Sequence, residues 1–160
     1  MTVHDARRDR FGRWFEEFTV GDVYRHWPGR TITQAEDHLF CTLTMAVSPV
    51  HIDAHYAENE MADGRNIIVG TFVYAALVGM SVPDTSGKAV AALGTESLRH
   101  LAPLYHGDSL YGESTVIEAR SSASRPGHGV VTIETRGFNQ NEQKVCEFRR
   151  SFLVPEREPA

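Results

Sequence analysis

The chain has 160 residues, 41% of them apolar and 23% charged, enough to bury one substantial core but hardly two. A formal charge of −5 and a pI near 5.9 argue against a nucleic-acid partner, because phosphate binding usually needs a basic excess. Two distant cysteines, Cys41 and Cys146, offer neither a disulfide framework nor a thiolate metal site, and no apolar run approaches the roughly 20 residues of a membrane span; a soluble, cytoplasmic protein is expected.

Residues 1–20 begin charged and aperiodic and read as an N-terminal arm, with 156–160 as a short tail and 21–155 as one domain. GDVYRHWPGRTIT, from Gly21, carries the Val, Tyr and Thr of a strand, and Pro28 marks it as an edge or a bulge. Thr33 and Glu36 make a capping box, after which Ala35, Leu39, Phe40 and Leu43 recur at helical spacing, predicting a helix over 34–44 with an apolar face. A second short helix is expected over 55–62, ending near Gly64. GTFVYAALVGMSVP, Gly70 to Pro83, carries no charge and reads as a buried helix bounded by Gly and Pro. Strands follow in AVAALGTESLRHL, SLYGESTVIEARSS, GVVTIETRGFNQ and KVCEFRRSFLV, with SRPGHG and NQNEQ as hairpin connections. A bent antiparallel sheet wrapped around the one apolar helix is the economical arrangement, which is an α+β fold.

Chemistry points first to the stretch MAVSPVHIDAHYAE, Met45 to Glu58. Histidine both gives and takes a proton near neutrality, and here Pro49 stiffens the loop that carries His51. Asp53 follows at a position that also suits a helix cap. Gly70 opens the apolar helix, where free N–H groups and the positive end of the helix dipole can hold a negative oxygen and a missing side chain permits close approach. Gly107 and Asp108 read as a turn into a strand. Arg149 and Arg150 fall on opposite faces of the last strand, and neither they nor Arg65, Arg99 and Arg125 can be assigned to a phosphate from sequence. No phosphate-binding loop, dinucleotide fingerprint or metal-ligand cluster is present, so no metal is expected.

LTMAVSPVHIDAHYAE, IIVGTFVYAAL and LAPLYHGDSLYGESTVIEARSS, in this order, resemble the MaoC-type branch of the hot-dog fold, the (R)-specific enoyl-thioester hydratases and dehydratases. TESLRHLAPLYHGDSLYGES and SRPGHGVVTIETRGFNQ are similar to the mesaconyl-CoA hydratase (β-methylmalyl-CoA dehydratase) members in particular. The resemblance runs from about Gly21 to Pro155. It implies a single hot-dog domain that pairs into a homodimer or higher homo-oligomer, with an acyl-CoA as substrate and no separate cofactor, coenzyme A entering as part of the substrate. It also implies His51 as acid/base, the Gly70 N–H on the thioester oxygen, and Pro49, Val69 and Thr71 along the substrate.

The family motif reads Asp, any residue, Asn, Pro, an aliphatic residue, His. Aligned on Pro49 and His51, it places Ser48 at the Asn and Ala46 at the Asp that normally holds water with the histidine. A methyl group neither accepts a proton nor orients water. Three readings therefore stay open: His51 acts with Ser48, Asp53 or a backbone group; a substrate carboxylate assists; or activity is lost and the chain is an acyl-thioester-binding or partner subunit. A thioesterase on the same fold is a further alternative.

Overall fold

The computed structural model describes residues 10–157; residues 1–9 of the arm and 158–160 of the tail lie outside the described residues. Five strands, β1 (Val23–Thr31), β2 (Ala91–His100), β3 (Ser109–Ser121), β4 (His128–Phe138) and β5 (Lys144–Pro155), form one sheet in the order β1-β3-β4-β5-β2. Every neighbouring pair is antiparallel. The helices are α1 (Gln34–Thr44), α2 (Pro49–Ile52), α3 (Ala54–Glu60) and α4 (Gly70–Ser81). This is the α+β hot-dog arrangement that the resemblance implied. The Pro28 signal corresponds to a bulge: β1 is an edge strand whose pairing with β3 shifts register between His26 and Arg30.

Helix α4 lies across the sheet with Phe72, Val73 and Leu77 inward. Leu77 is fully buried because Gly112 and Gly137 clear the sheet beneath it; a Cβ on Gly137 would stand 2.6 Å from Leu77 Cδ1. The sheet wraps the inner side of the helix and leaves Thr71, Ala75 and Gly79 on its outer stripe exposed. Residues 10–20, the described part of the N-terminal arm, pack back onto the domain. Phe18 packs on the same sheet face, joining Val116, Val131, Ile133, Phe152 and Val154 in a second core cluster with Phe15 beside it, and stands edge-on to Phe152 at 5.9 Å. Phe18 is buried and Phe15 half-buried there, a gain that charged neighbours in the sequence conceal.

The predicted capping box forms: Glu36 N–H donates to Thr33 Oγ1 and Thr33 N–H to Glu36 Oε2. These bonds and Arg30 hold the Glu36 carboxyl down at about 2. The apolar face assigned to α1 is corrected, because Leu39 and Leu43 are 60% and 75% exposed while Asp37 and Cys41 are buried. The helix is turned by what Asp37 binds, described below.

Candidate active site

The chain leaves α1 through Met45, whose left-handed conformation lets Ala46 N–H return to Cys41 O at 2.9 Å. Ala46 is half-buried and packs against the main core cluster. His51 does not sit in an open loop: it belongs to the single turn α2, which Pro49 starts at its first position with its ring geometry already suited to a helix. The His51 ring nitrogen Nδ1 is 2.8 Å from Ile67 O. A carbonyl only accepts, so Nδ1 carries the proton and Nε2 keeps a free lone pair. The turn is clamped by Asn66, which is buried and whose Nδ2 lies 3.3, 3.0 and 3.1 Å from the carbonyls of Pro49, Val50 and Asp53.

The opposite wall is the start of α4. Asp37, fully buried, accepts Val69 N–H at 3.1 Å through Oδ1 and pairs with His106 Nε2 at 2.9 Å through Oδ2. One carboxylate thus ties α1 to the segment that opens the central helix and to the turn before β3. That turn is the predicted one, with Tyr105 N–H donating to Asp108 Oδ2 at 2.9 Å. The Gly70 N–H, as a first-turn group, has no intrahelical acceptor. His51 and Gly70 face one cavity of about 470 Å³, together with Val73, Leu104, Val145 and His100. Among the described residues no carboxylate, lysine or arginine lines it.

The structure brings His51 and Gly70 together and sets the other predicted residues apart from the cavity wall. Asp53 caps α3, its Oδ1 accepting Tyr56 N–H at 3.0 Å. Ser48 precedes α2, exposed and without a side-chain capping bond. Pro49 starts that helix, Val69 gives its N–H to Asp37, and Thr71 points outward on the exposed stripe. Arg150 is buried at the far end of α4, its Nη2 donating to Ser81 Oγ and Ser86 Oγ, and Arg149 pairs with Glu134. Burial pushes the Cys146 thiol up to about 11, so it stays protonated and is no nucleophile. Asn66, Asp37, His106 and His100 were not found from sequence. The only local signal was a charge on a helix, Asp37, at a position that the apolar pattern assigned to solvent.

The family model for mesaconyl-CoA hydratase matches residues 2–160. The chain belongs to the mesaconyl-CoA hydratase family. It is 33% identical over 151 residues to the mesaconyl-CoA hydratase of Cereibacter sphaeroides, covering 93% of this chain and 43% of that protein. In structure it resembles a MaoC-domain protein from Chloroflexus aurantiacus with a TM-score of 0.88 and 30% identity, covering 98% of this chain and 43% of the other. The unliganded R-hydratase PhaJ1 of Pseudomonas aeruginosa matches with a TM-score of 0.74 and 27% identity, over 90% of this chain and 86% of that one. The chain therefore spans less than half the length of the mesaconyl-CoA hydratase that it matches, and most of the length of the shorter R-hydratase.

Proposed function

We propose that the chain is a hydratase and dehydratase that interconverts 2-enoyl-CoA and 3-hydroxyacyl-CoA thioesters. The observation that carries this reading is the pair lining one cavity: an imidazole whose Nδ1–H is held by the Ile67 carbonyl, which makes Nε2 the lone-pair nitrogen of the neutral ring, and the first N–H of the apolar helix. In hydration, His51 Nε2 takes a proton from water as the water oxygen bonds to C3. The C2=C3 electron pair moves toward the thioester oxygen, which the Gly70 N–H and the positive end of α4 stabilise. The enolate then takes a proton at C2, returned from His51, and the net addition is one water. Dehydration runs the same steps backward.

A short acyl group of the branched, carboxylated mesaconyl kind is preferred, which rests on the names of the relatives. A homodimer is supported by β2, whose outer edge has no partner strand among the described residues and which is exposed along nearly its whole length. Leu93 and Leu98 on it are 52% and 40% exposed. Ala46 favours a second reading, a binding or partner subunit without turnover, because among the described residues no carboxylate lines the cavity in its place.

Loss of the conjugated thioester absorbance with crotonyl-CoA and mesaconyl-CoA, with free thiol assayed in parallel, tests the proposal. Absorbance loss without thiol release is the expected result. CoA-ester binding with no turnover would establish the partner reading instead, and thiol release a thioesterase.

A further inference from the structure

We propose that His100 is a second contact to the thioester: its Nε2–H donates to the same carbonyl oxygen that takes the Gly70 N–H, so the developing enolate oxygen is held from two sides. The inference rests on the hydratase reading above. It begins from the position of the ring. The Nε2 corner of His100 is the atom nearest to where a Cβ on Gly70 would stand, at 2.7 Å, with Cε1 at 2.8 Å and Cδ2 at 3.1 Å. Standard bond geometry sets a Cβ about 2.5 Å from its own amide nitrogen, so Nε2 lies within about 5 Å of the Gly70 nitrogen. One oxygen accepting both donors at ordinary N–H···O lengths of about 2.9 Å spans such a gap.

The ring is free to serve. His26, His51 and His106 each spend at least one ring nitrogen on a protein partner, whereas neither ring nitrogen of His100 has one among the described residues. It nevertheless lines the same cavity as His51. Its backbone is held by the β2 ladder opposite Cys146, and the next residue donates Leu101 N–H to Val145 O at 2.9 Å. The strand end thus delivers a hydrogen-bonding ring to the start of the helix. With a methyl at Ala46 and, among the described residues, no carboxylate on the cavity wall, the second polar side chain of the site stands at the carbonyl end rather than at the water. Catalysis is thereby weighted toward stabilising the oxyanion, which needs a donor and not a base.

The test compares His100→Ala and His100→Gln in the full chain, with folding checked by circular dichroism. Gln keeps an N–H donor at nearly the Nε2 position. Loss of one oxyanion donor typically lowers kcat by about 10²–10³, so Ala is expected to fall in that range and Gln to recover at least tenfold of it. The second readout is the red shift in absorbance of a conjugated dienoyl-CoA on binding, which reports polarisation of its carbonyl; it should shrink with Ala and persist with Gln. Activity and red shift of His100→Ala within threefold of the unaltered protein would overturn the assignment while leaving the hydratase reading intact. An unaltered protein that neither hydrates enoyl-CoA nor shifts the dienoyl spectrum would overturn both.

Discussion

Truncating Asn66 to Ala should loosen the turn that carries His51. Three carbonyl oxygens, those of Pro49, Val50 and Asp53, converge on one side of the buried amide at 3.0–3.3 Å; each also accepts one backbone N–H, and the Asn66 NH₂ group supplies the bonds that tie the three together. That group has two hydrogens, so two carbonyls are bonded at full strength and the third shares. At about 0.5–1.5 kcal/mol net per bond, the truncation costs about 1–3 kcal/mol. In a domain of this size each kcal/mol lowers Tm by about 2–4 °C. Asn66→Asp has nearly the same shape but turns carboxylate oxygens toward the three carbonyls, so it should cost more than Ala. Urea unfolding followed by tryptophan fluorescence would measure both, with the midpoint moving at constant slope. An unmoved midpoint for Asn66→Ala, or Asp as stable as Ala, would refute the clamp.

Asp37→Ala strands two donors, Val69 N–H and His106 Nε2, and should destabilise the fold by about 1–3 kcal/mol for each, read by the same unfolding assay. Glu36→Gln should be less stable than the unaltered protein at pH 6. Because the folded carboxyl is held down at about 2 against an ordinary 4.5, its contribution is complete above about pH 4.5 and fades as pH falls toward 2; the gap between the two proteins should close over that window in unfolding curves. Ala46→Asp sets a carboxylate against the core cluster that includes Cys41 and Ile68, so it should lower stability by about 1–3 kcal/mol. A variant that keeps its stability and gains hydratase rate would instead mean that position 46 opens onto the cavity.

Much of the fold was legible because its signals are local. The Thr33–Glu36 box, the uncharged run from Gly70 to Ser81 and the alternation in β4 each carry their own period or cap. Where sequence reasoning misled, the deciding partner was remote. Leu39 and Leu43 have the helical spacing of a buried face, yet α1 turns Asp37 inward because its acceptor oxygens meet Val69 and His106, 32 and 69 residues away. The turn at Pro49–Ile52 is one helical turn long, too short to show a period, so it read as loop. His51 and Gly70 could be picked from a motif and from a helix start. Asn66 and His100 could not, since their significance lies in what they face across the fold. The resemblance supplied the pairing of His51 with Gly70 that composition and spacing alone left open.

The central claim is that His51, oriented by Ile67, is the proton acceptor of a hydration reaction. The most direct measurement is the hydration rate of mesaconyl-CoA and crotonyl-CoA by the unaltered protein and by His51→Ala, both verified as folded. General-base loss is worth about 10²–10⁴ in rate, and a fall of that size in kcat is predicted. A His51→Ala protein that hydrates either thioester as fast as the unaltered one would contradict the account.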